Sequence, residues 1–186
     1  MKNKLVLFII ALCFSCNDNK ILKNNISNNI PKKIISETSE GEKILLGEVT
    51  HFQIETFANK WFSDNDFNNL IDEKIILKIL PIIKNVSVKI FLGTWCEDSE
   101  REIPVLFHIL KKTNFDLSSI NIIALSEFKT SPQNFEKNFN ITNVPTIIFL
   151  KENKEINRIV EFPVETMEKD IYNILSVNNY KHAYLE

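Results

Sequence analysis

Hydrophobic and polar positions along the chain follow two different spacings. Residues 86–92 and 144–150 are rich in β-branched, aliphatic and aromatic side chains, which are typical of buried strands. Residues 69–83 carry apolar side chains at three- and four-residue spacing, which predicts a helix that ends near Pro81. Gly93 closes the first run, and a helical pattern to about residue 111 follows Cys96. The pattern therefore predicts a strand, a tight turn and a helix in direct succession.

The same spacings predict the other elements. They are a strand at 48–52, a helix at 56–67, a strand at 120–125, a helix at 132–139, a strand at 155–160 and a helix at 166–176. Residues 151–154 form a polar turn in which Asn153 tolerates a positive φ, so the strands on either side should pair as a hairpin. The order βαβαββα predicts an α/β fold with a central mixed sheet flanked by helices on both faces. Trp61 is expected in the core, and the tail to Glu186 is expected to be exposed.

The first sixteen residues differ from the rest of the chain. A short basic start is followed by an apolar run at 5–12, which is typical of an export signal and too short to span a bilayer. We predict a signal peptide at 1–15, a flexible tether at 16–42 and one folded domain at 43–186. The tether prediction follows from its polar composition, which cannot offset the entropy of ordering.

Residues 13–16, Cys-Phe-Ser-Cys, resemble a bacterial lipoprotein signal, in which a cysteine that follows a small residue is modified with lipid. Cys13 stands where such signals usually have an aliphatic residue. The resemblance implies a lipid on Cys16, attachment to a membrane, and a location in the bacterial cell envelope outside the cytoplasm, in the periplasm. The alternative is an ordinary secretory signal in which Cys16 has no role.

Composition narrows the function classes. The chain has 186 residues, of which 44% are hydrophobic, so a packed core is expected. Its net charge of -2 gives no positive electrostatic field that would attract nucleic acid. Three cysteines, two of them in the signal region, cannot build a disulfide framework. His51, His108 and His182 are scattered and lack the neighbours of a metal site. We therefore predict a monomer without metal or cofactor.

Three linked features resemble the thioredoxin family. They are Trp95-Cys96-Glu97-Asp98-Ser99 after a strand, Pro104 eight positions after Cys96, and Val144-Pro145-Thr146 at the start of the hairpin. The resemblance covers roughly residues 86–176 and implies a thioredoxin-like fold. It also implies a cis peptide bond before Pro145, contact of that proline with Cys96, and a substrate groove formed by Trp95, Val144 and Pro145. Pro104 would kink its helix.

The chemistry of a thiol explains why Cys96 is the candidate nucleophile. Thiolates, rather than thiols, attack disulfides, and a helix N-terminus presents unpaired N–H groups and a positive dipole end to an anion. Ser99 lies one helical turn further on, where its hydroxyl could donate to the Cys96 sulfur. Negative charge on Glu97 and Asp98 would act in the opposite direction.

Three departures from the family pattern change the expected activity. Ser99 stands where the second cysteine would be, Ile90 replaces a buried acidic residue, and residues 161–163, Glu-Phe-Pro, replace a glycine after the last strand. We therefore predict a single-cysteine protein that exchanges with exported proteins or small thiols and needs an outside thiol to turn over. The alternative is a non-catalytic module that binds extended segments of envelope proteins. A peroxidase is a third and weaker alternative, because no suitable threonine or arginine lies near Cys96 in the sequence.

Overall fold

A computed structural model of the chain describes residues 32–63, 67 and 71–185. The predicted signal peptide, Cys13, Cys16 and the tether up to residue 31 lie outside these residues, and so do positions 64–66 and 68–70. The described residues form six strands and five helices. The strands are β1 Ile34–Glu37, β2 Lys43–Val49, β3 Val86–Leu92, β4 Ile120–Ala124, β5 Thr146–Lys151 and β6 Lys154–Val160, and the helices are α1 His51–Phe57, α2 Lys60–Ser63, α3 Glu73–Ile79, α4 Glu97–Lys112 and α5 Met167–Leu175.

The six strands form one mixed sheet in the order β1-β2-β4-β3-β5-β6. β3 and β4 are parallel and are joined through α4, whereas the other neighbouring pairs are antiparallel. A parallel pair needs such a crossover, since a tight turn can join only antiparallel strands. The predicted α/β class with a mixed sheet flanked by helices is confirmed. The C-terminal ends of β3, β4 and β6 and the start of β5 meet at one edge of the sheet, which we call the Cys96 edge.

Side chains of the sheet alternate between two hydrophobic clusters. Along β3, Val88, Ile90 and Leu92 face the larger cluster, whereas Phe91 faces the smaller one. All five helices contribute their buried apolar side chains to the larger cluster, which includes Trp61 as predicted. The smaller cluster is covered by the chain segment between β4 and β5. Helices therefore pack on one face of the sheet, and an irregular segment covers the other in place of the expected second helical layer.

The predicted helix at 132–139 is wrong. This segment is a series of turns, and Asn134, Asn138 and Asn140 have φ values of 56°, 72° and 51°. Asparagine adopts the left-handed conformation more readily than most residues, and each such residue interrupts a helix. Phe139 nevertheless buries its ring against Phe91, with 5.2 Å between ring centroids. The apolar spacing in this segment thus reports contact with the sheet rather than helical structure.

The folded part begins earlier than predicted. β1 lies inside the segment predicted as a tether and pairs with β2, Ile34 opposite Leu46. β2 replaces the strand predicted at 48–52, and α1 begins directly after it. Thr50 and Gln53 form a capping box, since the Thr50 hydroxyl accepts from the Gln53 N–H and the Gln53 side chain accepts from the Thr50 N–H. This cap fixes the helix start at His51.

The hairpin prediction is confirmed. β5 and β6 pair antiparallel across a turn in which Glu152 and Asn153 have φ values of 52° and 61°. α5 also matches its prediction to within one residue at each end. The tail is not simply exposed, because the Tyr180 hydroxyl donates to the buried Asp170 carboxylate at 2.7 Å. The chain beyond α5 therefore folds back onto that helix.

Candidate functional site

Strand β3 leads into a tight turn that places Cys96 at the start of α4. The Cys96 N–H donates to the Gly93 carbonyl at 3.1 Å, and Cys96 is the N-cap residue with extended backbone, φ -98° and ψ 123°. Its side chain makes no capping hydrogen bond to the helix. The predicted order of strand, turn and helix is present. The helix continues for 16 residues and passes through Pro104.

The sulfur of Cys96 lies against the start of β5. Its thiol donates to the Val144 carbonyl at 3.2 Å, and the peptide bond between Val144 and Pro145 is cis. Cys96 is partly exposed, while the Val144 side chain is buried in the smaller hydrophobic cluster. The structure thus brings together Cys96, Val144 and Pro145, as the family resemblance implies. Within the described residues, the Val144 N–H forms no hydrogen bond.

Ser99 has a different role from the one predicted. Its hydroxyl is fully buried and accepts a hydrogen bond from the Gly93 N–H at 3.2 Å. The predicted donation from Ser99 to the Cys96 sulfur is absent from the hydrogen bonds of the described residues. Ser99 therefore holds the turn before the helix closed. Ile90 is fully buried in the sheet, as expected for that strand position.

Trp95 shields one side of the turn. Its indole Nε1 donates to the Leu125 carbonyl at 2.9 Å, just beyond the end of β4, and its ring is partly exposed. The neighbouring Thr94 is buried, and its hydroxyl accepts from the Leu45 N–H of β2 at 3.0 Å. These two bonds attach the turn to strands on one side of β3. Trp95 and Cys96 thus pack against the same small hydrophobic cluster, and the Trp95 indole is held by its bond to Leu125.

The first two turns of α4 are acidic. Glu97, Asp98 and Glu100 lie in the first turn, where carboxylates interact favourably with the helix dipole. Arg101 pairs with Asp98 at 2.6 Å and with Glu102 at 2.7 Å. Burial raises the pKa of the Glu102 carboxyl, and its bond to Arg101 only partly offsets that effect. The helix that begins at Cys96 thus carries more carboxylates than the one guanidinium can neutralise.

Glu161 is a site residue that the sequence did not reveal. It follows β6 and has a φ of 66°, in the left-handed region where the family pattern has a glycine. Its N–H donates to the Pro145 carbonyl at 2.7 Å, and its carboxylate accepts from the Asn143 amide at 3.2 Å and from the Tyr184 hydroxyl. These bonds hold the proline loop from the side opposite Trp95. The sequence signal for this residue was that residues 161–163 replace the glycine of the resembled family pattern.

Two features are absent from the described residues, 32–63, 67 and 71–185. None of their helices is both long and apolar enough to cross a membrane. They also contain no group of three or more histidine, cysteine or acidic side chains arranged to hold a metal ion. Four surface clefts of about 270 to 500 Å³ are present, and Cys96 does not line any of them. The thiol therefore lies at the sheet edge and outside those four clefts.

Comparison with known proteins identifies no family. No protein-family model matches the chain, and no curated protein is significantly similar to it. Among solved structures, a protein of unknown function from Pseudomonas aeruginosa has 14% sequence identity and a TM-score of 0.44, and the match covers 59% of this chain and 75% of that one. An HIV epitope scaffold has 14% sequence identity and a TM-score of 0.43, and the match covers 67% of this chain and 81% of the scaffold.

Proposed function

We propose that this is an envelope-anchored, thioredoxin-like protein in which Cys96 exchanges reversibly with thiols or disulfides of exported partners. Support for the fold comes from the β3-α4-β4 crossover, which is followed by an antiparallel hairpin and a final helix. Support for the chemistry comes from the placement of Cys96 and Pro145 within that topology. Both features match the resemblance found in the sequence.

One observation carries the proposal: the partly exposed Cys96 thiol is the N-cap of a long helix and lies 3.2 Å from the Val144 carbonyl before a cis proline. A thiolate is the nucleophile in exchange, and a helix N-terminus offers unpaired N–H groups to an anion placed there. The contact with Val144 fixes the sulfur beside the backbone that leads into β5. Position and exposure together suit attack on an external disulfide.

The backbone at Val144 suits an extended partner. Val144 precedes β5, and the pairing of β5 with its neighbours begins at Thr146. A peptide that lies alongside Val144 can accept a hydrogen bond from its N–H, as in strand addition to a sheet edge. Such a peptide would pass the Cys96 sulfur in an extended conformation. A cysteine in that peptide would then be presented to Cys96.

The reaction needs an outside thiol. Cys96 is the free cysteine among the described residues, and Ser99 occupies the position from which a second thiol could attack. Attack by the Cys96 thiolate on a partner disulfide forms one mixed disulfide and releases one partner thiolate. A second, external thiolate then attacks the mixed disulfide and restores Cys96. Over these two steps one partner sulfur leaves as a thiolate and the other ends in a mixed disulfide with the external thiol. Another external thiolate must attack that mixed disulfide to complete reduction of the partner, and the two external thiols are then joined as a disulfide.

Anchoring to the envelope is proposed on the signal region alone. A lipid attached to Cys16 converts its thiol into a thioether. Cys96 then carries the free thiol of the mature chain. The mass of the mature N-terminal peptide tests this part. An acylated Cys16 supports it, and an unmodified cysteine or a cleavage site elsewhere contradicts it.

The activity is tested by thiol exchange with the mature protein and its Cys96→Ser variant. We expect the folded protein to react with a disulfide reagent faster than the same chain in urea, because the fold presents the sulfur at a helix start. The Cys96→Ser variant should lose this reaction, and any reaction that remains in it measures the contribution of other thiols. A folded protein that reacts no faster than the unfolded chain would refute the proposal.

The second candidate is a binding module without catalysis. The buried hydroxyl of Ser99, which braces Gly93, favours it because no group on α4 can resolve a mixed disulfide within the chain. Trapping distinguishes the two functions. Mixed disulfides recovered through Cys96 from cells support exchange, whereas partner capture that is unchanged in Cys96→Ala supports binding alone.

A further inference from the structure

Three exposed apolar side chains lie on loops at the same edge of the sheet as Cys96. Phe128 is 85% exposed, Val164 54% and Phe162 40%. Phe128 lies in a tight turn, closed by the Ser126 N–H bond to the Thr130 carbonyl at 2.9 Å, directly after the segment that binds Trp95. The other two follow β6, where the backbone is bonded to Pro145. The three side chains therefore lie on loops of the Cys96 edge.

Several carboxylates also lie on the turns and loops of the Cys96 edge. Glu97 and Glu100 are exposed, and neither forms an ion pair with any described residue. Glu161 is bonded to the uncharged Asn143 and Tyr184. Among the described residues, the Glu127 carboxylate accepts hydrogen bonds only from Ser39, from the Ser39 N–H at 2.7 Å and the Ser39 hydroxyl at 3.1 Å. These bonds satisfy the carboxylate oxygens without neutralising their charge.

We propose that the Cys96 edge selects extended protein segments that carry lysine or arginine and an apolar side chain next to the reactive cysteine. This inference rests on the proposed exchange reaction and names its substrate class. The apolar side chains provide contact area, and the carboxylates of Glu97 and Glu100, which form no ion pair with a described residue, attract cations. Lys129 lies beside Phe128 and offsets the charge of Glu127. A small thiol that carries carboxylates is disfavoured at this edge by the same charges.

The expected size of the charge effect follows from distance and solvent. Two unit charges about 8 Å apart in water change an association constant by roughly twofold, and salt screens the effect over about 10 Å at 0.1 M. Two carboxylates acting on probes of opposite charge should therefore separate their rates by roughly tenfold at low salt. Raising the salt concentration to about 0.5 M should remove most of that ratio.

The experiment measures exchange of the mature protein with two small disulfides, the dication cystamine and the dianion dithiodipropionate. Each rate is divided by the rate of the same probe with 2-mercaptoethanol, which removes differences in intrinsic reactivity. Two peptide disulfides that share one phenylalanine and differ in flanking lysine or glutamate give the same comparison for protein segments. We expect the cationic member of each pair to react roughly tenfold faster.

Variants locate the effect. Glu97→Gln combined with Glu100→Gln should lower the cation-to-anion ratio several-fold, and Phe128→Ser should slow the reaction with the lysine peptide. Glu152→Gln is the matched control, since Glu152 is exposed in the β5-β6 turn at the opposite edge and should leave the ratio unchanged.

The outcomes separate the two proposals. Exchange at equal normalised rates for cations and anions overturns the charge selectivity and leaves the proposed exchange reaction standing. A ratio that falls as much per charge removed in Glu152→Gln as in the double variant also overturns it, because the effect then comes from net charge. Absence of exchange with every probe overturns both proposals.

Discussion

The indole ring of Trp95 lies against the backbone of Gly93. A β-carbon placed on Gly93 would lie 2.6 Å from Trp95 Cε2 and 2.7 Å from Nε1, closer than packed atoms can approach. The same ring donates to the Leu125 carbonyl. The missing side chain at position 93 therefore allows the tryptophan to pack over the turn that presents Cys96.

Gly93→Ala should destabilise the protein by about 1–3 kcal/mol, because the ring must shift and its hydrogen bond to Leu125 must lengthen. Urea unfolding gives the free energy of unfolding. Fluorescence of Trp95, measured in a Trp61→Phe background, should shift to longer wavelength as the ring becomes more exposed.

Gly41→Ala serves as the control for that substitution. Gly41 has a φ of 84°, and a β-carbon added there would have no atom within 4 Å, so only backbone conformation is affected. We expect a cost of about 1–2 kcal/mol with unchanged Trp95 emission. An emission shift in Gly41→Ala as large as in Gly93→Ala would contradict the packing explanation.

Thr94→Val should cost about 1–3 kcal/mol, since it leaves the Leu45 N–H without its acceptor inside the protein. Thr94→Ser keeps the hydroxyl and should cost distinctly less. Hydrogen exchange at the Leu45 amide provides the local measurement. Equal protection of this amide in the valine and serine variants would argue against the bond as the cause.

Ser99→Cys should convert Cys96 from a single thiol into a pair. Residues three apart at a helix start have β-carbons about 5–6 Å apart, and small adjustments bring them to disulfide distance. We expect the introduced thiol to attack a mixed disulfide at Cys96 and release the partner without an added thiol, which leaves an internal disulfide and no free thiol at either position. Ser99→Ala has the same loss of the Gly93 bond and cannot form the disulfide, so it should retain the mixed disulfide.

Tyr180 should make stability fall in alkaline solution. Burial and then the bond to Asp170 raise the pKa of the Tyr180 hydroxyl above its usual value near 10. The folded chain thus holds a proton that the unfolded chain loses, so this contribution is complete below about pH 10 and declines as the pH rises above it. The free energy of unfolding cannot fall by more than about 1.4 kcal/mol per pH unit through the loss of this one proton.

Comparison of the protein with Tyr180→Phe isolates that contribution from the titration of lysines. The difference in unfolding free energy between the two should shrink from about pH 9 to about pH 11. A difference that stays constant over this interval would show that the hydroxyl is not protected in the folded state.

The sequence predicted the elements around Cys96 well, because local signals and tertiary contacts agree there. β3 is rich in β-branched and aromatic residues and is followed by a glycine, and the chain turns there before α4 begins. The contact between Cys96 and Val144 joins residues 48 positions apart, and only the family resemblance suggested it. Spacing alone carries no information about such pairs.

The failures have identifiable causes. The segment at 132–139 has apolar residues at helical spacing, but asparagines in left-handed conformation divide it into turns. β1 contains only two apolar residues among polar neighbours, so pairing with β2 rather than composition determines its structure. Ser99 was assigned to Cys96 because a side chain one turn away is the nearest in sequence, whereas the Gly93 N–H is its bonding partner.

The direction of β1 has a consequence for how the protein is presented. β1 runs antiparallel to β2, which runs antiparallel to β4, so β1 points toward the Cys96 edge. The polypeptide before Ile34 therefore arrives from the other side, where Lys33 lies 5.2 Å from the centre of the Phe57 ring. If the N-terminus is the anchored end, as proposed above, the attachment enters the domain at the end opposite its thiol. The anchored segment then need not pass the Cys96 edge, which leaves that edge free for a partner.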